Sequence, residues 1–203
     1  MKITNAAALL NAIQEGVFVL GRKRKISCIC RMKHLSVHID RLTNSLRNAI
    51  TGDVFTTELY KITAKDKPLL RKDWLFDWVK EMNNAEAEVW KLVIVNNPSV
   101  IQGLVSISDR DDHIFVNLVE NASYNIGKNK VYEGVGANLF AFACQRSFAS
   151  GYDGVVSFIA KSTLIAHYSA MLGAKRLGSS LRMIIDTPQA RSLCERYFPS
   201  SQQ

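Results

Sequence analysis

A chain of 203 residues with 47% hydrophobic and 22% charged residues fits one globular domain with a sizeable core. No apolar run approaches the roughly 18 residues that cross a bilayer, and four cysteines are too few for a disulfide scaffold of this size. The net charge of +8 sits almost wholly in residues 1–50, which hold nine Lys/Arg against two Asp/Glu; such a patch draws phosphate or acidic protein surfaces.

The opening run, MKITNAAALLNAIQEG, lacks a compact apolar core with a small-residue cleavage site, so no secretion signal is read and a reduced cytoplasm is the expected location. Residues 5–15 read as helix, and 17–20 and 26–30 as short strands around the basic turn GRKRK (21–25). Cys28, Cys30, His34 and His38 form a Cys-x-Cys-x3-His-x3-His array. Cys-x-Cys is a poor zinc knuckle, and a strand would bury both thiols as small hydrophobes, so no metal is expected. Apolar residues at spacings of three and four, Leu35, Ile39, Leu42, Leu46 and Ile50, predict a helix over 35–50. Residues 54–63 read as extended. Trp74, Trp78 and Met82 share one face of a helix over 73–82, a core stripe.

From residue 88 short polar turns separate extended runs. Strands over 88–95, 100–108 and 113–120, with turns at 96–99 and 109–112, predict an antiparallel meander. After a loop over 121–132, Gly134 and Gly136 open a long apolar helix that ends at 151–154. The run VVSFIA (155–160) is apolar on both faces, as a central parallel strand is. Ser162 or Thr163 caps a helix striped by Leu164, Tyr168, Met171 and Leu172 and stopped by Gly173. A hairpin turning at 178–180 follows. Thr187-Pro188 then opens a last helix with Leu193, Cys194 and Tyr197 inward. From residue 88 the order is β-β-β-α-β-α-β-β-α.

A glycine turn feeding a helix leaves free N–H groups at a positive helix end, a setting for an anion such as phosphate. Bland packing of a tight turn is the alternative. A dinucleotide fingerprint fails because its third glycine position is Leu139, and nothing supplies the Gly-Lys-Ser/Thr of a P-loop.

The meander, then GVGA opening a helix, then a parallel strand and a helix carrying AHYSAMLGA, resembles the GNAT acyltransferase superfamily over about residues 85–186. The resemblance implies a GNAT-like mixed α/β sheet with an N-terminal extension and an added C-terminal helix. It divides the chain into a basic segment, 1–84, packed on or continuous with the core, and an acyl-CoA-binding core, 85–203. Gly134 and Gly136 match the two small positions of the family's Arg/Gln-x-x-Gly-x-Gly/Ala motif. Val131 stands where its first residue belongs, and the loop is longer than the family's norm; Lys130 or Lys128 would supply the missing cation. The resemblance further implies that pyrophosphate lies on the N–H groups of Val135, Gly136, Ala137 and Asn138. The pantetheine arm would pair with the third strand at Leu118, Val119 and Glu120, in a split between that strand and 155–160. A strand N–H would polarise the thioester carbonyl, a contact worth about 3–4 kcal/mol.

Acyl transfer to an amine needs a proton acceptor and a proton donor. Tyr168 sits where many GNAT members carry a tyrosine acid, in a run that HYSAMLGA matches loosely; as a residue alone it reads equally as core. Alternation puts Glu120 on the face of Ile114, Val116 and Leu118, where a carboxylate needs a partner or a task and would suit a general base. Asn121, Ser123, Tyr124 and Asn125 form a polar loop beside it; Asn121, Tyr124 and Asn125 are the candidate acceptor-site residues. Cys144 lies inside an apolar helix without a base. The expected function is an N-acyltransferase moving an acetyl or other acyl group from acyl-CoA to an amine of unstated kind, without metal or membrane. The alternative is a non-catalytic GNAT-like module that binds nucleic acid or protein through residues 21–47, whose charge suits an anionic partner.

Overall fold

The computed structural model describes residues 45–71 and 73–198. The expectations for residues 5–15, 17–20 and 21–30, and for the Cys/His array, lie outside the described residues.

Period-two burial over β-branched and aromatic runs makes strands. They are β1 (Ser45–Asn48), β2 (Val54–Lys61), β3 (Glu88–Ile94), β4 (Asn97–Asp109), β5 (Ile114–Asn121), β6 (Tyr132–Glu133), β7 (Val156–Ile159), β8 (Lys175–Arg176) and β9 (Arg182–Ile185). They form one sheet in the order β6-β1-β2-β3-β4-β5-β7-β9-β8, and β5–β7 is the parallel pair within it. Helices are α1 (Trp78–Met82), α2 (Val135–Ala149), α3 (Ile165–Leu172) and α4 (Thr187–Tyr197). This mixed sheet with its helices is the expected fold class. Among the described residues no helix is long and apolar enough to cross a membrane.

The meander forms with a tighter first turn than expected. β3 and β4 join through Val95-Asn96, and Asn96 takes φ +67, so β4 begins at Asn97. The predicted helix over 35–50 is corrected in its described part. Residues 45–48 are a strand in which Leu46 pairs with Phe55 and is fully buried, while Ile50 is 88% exposed in the turn beyond. Pairing and burial outweigh a short helical spacing. Residues 45–61 are thus continuous with the sheet. Helix 73–82 shrinks to α1, where the Asp77 carboxylate accepts the Lys80 N–H at 2.9 Å. The last helix is capped by Asp186, one residue earlier than Thr187.

Neighbours along β4 bury on opposite faces. Val105 joins a core with α2, α4 and β7, including Leu139, Phe140, Phe158 and Tyr197. Leu104 joins a second core with Ile62, Leu70, Trp78, Val89 and Ile101.

Two irregularities shape the middle of the sheet. Ser106 pairs with Leu118 and Ile107 with Val116, so Asn117 is an extra residue, a β-bulge in β5. The parallel pairing of β5 with β7 runs only from Ile114–Val156 to Val116–Phe158. Beyond Val116, β5 continues for five residues with no strand on that edge among the described residues. The two strands part at the bulge.

Candidate active site

The glycine turn is built from below. An atom at the Cβ position of Gly103 in β4 would lie 2.7 Å from Val135 Cγ1, 3.0 Å from Leu139 Cδ1 and 3.1 Å from the Glu120 carbonyl oxygen. Its bare backbone lets the first turn of α2 settle onto the sheet. Gly134 then turns the chain with φ +90, a region that suits glycine, and its carbonyl accepts the Asn138 N–H at 2.9 Å. The N–H groups of Val135, Gly136 and Ala137 meet no acceptor among the described residues. They are the orphan donors of a fifteen-residue helix. The Cβ position of Gly136 faces Asn121 Oδ1 at 3.6 Å and Met171 Cε at 3.8 Å. The turn therefore sits between the free end of β5 and α3.

Asn138 differs from the expectation. Its N–H is taken by Gly134, and its fully buried side chain donates to Thr57 Oγ1 at 3.2 Å. Lys130 lies 3.2 Å from Glu133, which Arg47 also holds at 2.6 Å. Hydrogen bonds from Arg47, then Lys130, hold the Glu133 carboxyl below its usual range. The triplet leaves one net positive charge just before Gly134. Val131 donates its N–H to the Tyr124 carbonyl at 2.8 Å, and its own carbonyl accepts the Ala49 N–H at 2.9 Å.

Of the candidate acceptor residues, Asn121 stands at the turn. The other two face β4. Tyr124 Oη donates to the Ile101 carbonyl at 2.6 Å. Asn125 Nδ2 donates to the carbonyl and side-chain oxygens of Gln102, and its Oδ1 accepts the Tyr132 N–H. These contacts pin the long loop to the sheet. Leu118 and Val119 pack on opposite faces, in the second and first cores respectively, on the stretch of β5 that pairs with β4 but has no strand on its other edge among the described residues.

The bulge also corrects the face assigned to Glu120. With Asn117 inserted, Leu118 and Glu120 turn to the Trp78 side, opposite Ile114 and Val116. The Glu120 carboxylate, 6% exposed, accepts the N–H of Leu75 at 2.6 Å, that of Phe76 at 3.2 Å and the Trp78 indole N–H at 2.8 Å. It ties the segment before α1 to the strand end.

Tyr168 packs its ring on Phe158 at 5.0 Å and Phe140 at 5.6 Å between centroids. Phe158 is the last β7 residue paired with β5, so Tyr168 lies where the strands part. Burial pushes its phenol above the usual value, and its hydroxyl meets no hydrogen-bond partner among the described residues. Burial likewise raises the Cys144 thiol, which leaves it inert. Among the described residues no three His, Cys, Asp or Glu cluster as a metal site. Gly103 escaped the sequence reading; the signal was a lone glycine inside an otherwise apolar strand pattern.

No family model and no curated protein sequence matches the chain. Solved structures do. The AtaT–AtaR complex bound to DNA is 17% identical at a TM-score of 0.50, over 67% of this chain and 98% of that one. AtaTR bound with AcCoA is 16% identical at 0.49, over 68% and 97%. Nourseothricin acetyltransferase is 13% identical at 0.48, over 65% and 99%. The likeness is one of fold: this chain has the mixed sheet and helix order of the GNAT acetyltransferases.

Proposed function

We propose that the chain is an acyl-CoA-dependent N-acyltransferase. The carrying observation is the set of unpartnered amides on Val135, Gly136 and Ala137 beside the point where β5 and β7 part. Three N–H donors at the positive end of a long helix suit a pyrophosphate. Gly136 keeps the approach open, and the Arg47–Lys130–Glu133 triplet adds net positive charge. Asn138 and Lys130 support the turn rather than touch the ligand directly. The free edge of β5 at Leu118 and Val119 offers backbone groups to an extended pantetheine arm. Asn121, the last residue of β5 and facing Gly136, is the candidate best set to meet the bound donor, while Tyr124 and Asn125 hold the loop. Tyr168, neutral through ordinary pH, is the proton donor for the departing thiolate. Glu120 holds the segment before α1 instead of acting as a base.

Acetyl-CoA, which joins a pyrophosphate to an extended pantetheine arm, suits the three open amides and the free β5 edge together. Titration calorimetry on the full chain tests the reading. Acetyl-CoA should bind saturably, and S-acetylpantetheine, which lacks the pyrophosphate, at least about tenfold more weakly, the equivalent of ~1.4 kcal/mol. Equal affinity for the two would remove the amides from donor binding, and no affinity for either would end the acyltransferase reading. In that case a steeply salt-dependent affinity for nucleic acid would favour a binding module.

A further inference from the structure

We propose that Glu81 is the carboxylate that receives an alkylammonium acceptor and takes its proton, on the sheet face opposite α2. This rests on the acyltransferase reading above. A donor whose pyrophosphate lies on α2 and whose arm enters the gap leaves the other face for the acceptor. That face carries the second core, and three carboxylates turn toward it.

Two of the three are fully engaged. Asp66 takes Lys91 Nζ at 2.6 Å, the Thr63 N–H at 2.8 Å and the Thr63 hydroxyl at 3.0 Å. Glu120 takes its three N–H donors. Glu81, half-buried on α1, has one partner: the Ser106 hydroxyl donates to its Oε1. Its Oε2 meets no partner among the described residues. Ser106 is fully buried and accepts Asn117 Nδ2 at 3.1 Å; that amide also reaches Ser108 Oγ at 2.8 Å. Asn117 is the bulge residue, immediately past Val116, where pairing with β7 stops.

A line of hydrogen bonds thus runs from Glu81 to the apex of the gap. It also fixes the polarity: Ser106 accepts from Asn117 and gives its single proton to Glu81, which holds the carboxylate with one oxygen toward the acceptor. Across the sheet Tyr168 packs on Phe158, the partner of Val116. A proton acceptor and a proton donor therefore flank one apex from opposite faces. Of the other charges on these elements, Arg110 and Arg182 lie over the Phe115 ring, Arg110 also lies 3.9 Å from Glu86, Asp77 accepts the Lys80 N–H, and the exposed Lys80 side chain stands next to Glu81 on α1.

The step balances. The ammonium gives one proton to Glu81, and the freed nitrogen lone pair attacks the thioester carbonyl carbon. As the C–N bond forms and the C–S bond breaks, the sulfur keeps the electron pair and takes the Tyr168 phenolic proton. The amide nitrogen sheds its extra proton to solvent, and solvent resets both side chains.

The test is thiol release from acetyl-CoA by the full chain with two probe amines: 2-phenylethylamine, an ammonium at neutral pH, and hydroxylamine, largely free base there. Glu81→Gln keeps the size of the side chain and an acceptor for Ser106. It should lower the 2-phenylethylamine rate about a hundredfold or more at pH 7. Acetyl-CoA affinity and the hydroxylamine rate should stay near the parent's, and the deficit should shrink toward pH 9 as the alkylamine loses its own proton. Ser106→Ala should give a smaller loss of the same pattern. An unchanged 2-phenylethylamine rate in Glu81→Gln, or equal losses on both amines, overturns the proposal while leaving acetyl-CoA binding intact. A parent that binds acetyl-CoA but acetylates neither amine overturns the alkylamine acceptor. A parent that does not bind acetyl-CoA fails the acyltransferase reading itself.

Discussion

Tyr168 shows how one side chain answers to two forces. Its ring is held by Phe140 and Phe158, and removing the hydroxyl leaves that packing in place. Tyr168→Phe should therefore fold as the parent does and bind acetyl-CoA unchanged, while turnover with 2-phenylethylamine falls about a hundredfold or more. An undiminished rate would return Tyr168 to the core. Burial favours the neutral phenol and raises its pKa in the folded state. The stability tied to that protonated form is complete below the unfolded value of about 10 and is lost as pH rises through the higher folded value. Phe carries no such proton. Denaturant melts between pH 9 and 11 should show the parent losing more stability than Tyr168→Phe, and parallel losses would deny the phenol any burial penalty.

Among the elements, β5 carries the lesson about what sequence reveals. Its existence, its place after two antiparallel strands and its parallel partner at 155–160 all follow from apolar alternation and turn residues. The bulge at Asn117 does not, because a one-residue insertion leaves alternation intact on either side and is set by the register against β4. That single residue moves Glu120 across the sheet, so the candidate base inferred from period two lands among the Leu75, Phe76 and Trp78 donors. Leu46 errs in the opposite direction: helical spacing is visible locally, while pairing with Phe55 is a long-range fact. The glycine turn was legible because φ +90 and an approachable helix end both demand particular residues. Its foundation at Gly103 makes a test at this scale. Gly103→Ala sets a methyl against Val135, Leu139 and the β5 backbone, lifting the first turn of α2. Chemical denaturation should show a loss of about 1–3 kcal/mol. Acetyl-CoA affinity should fall roughly tenfold, ~1.4 kcal/mol, since the amides move with the helix. Destabilisation without an affinity change would separate that turn from the ligand.

Across the whole described structure, α2 is both the helix whose first amides stay open and a principal buried element, with Leu139, Phe140, Ala141, Ala143 and Cys144 almost wholly enclosed. The same core reaches β1 through Leu46, the C-terminal helix through Leu193 and Tyr197, and the far strands through Met183 and Ile185. An anion on the α2 terminus is thus tied to an element that cannot loosen without opening both ends of the sheet. Ligand binding should raise the stability of the sheet as one unit. At a hundredfold excess over its dissociation constant, a ligand of the native state alone adds about 2.7 kcal/mol. For a chain of this length each kcal/mol moves the melting temperature by about 2–4 °C. Acetyl-CoA should therefore raise the Tm of the full chain by about 5–11 °C in a single transition, read by calorimetry. A rise confined to part of a split transition would mean that α2 unfolds apart from the β1–β2 end, and no rise at saturating concentration would remove acetyl-CoA as the ligand of the turn.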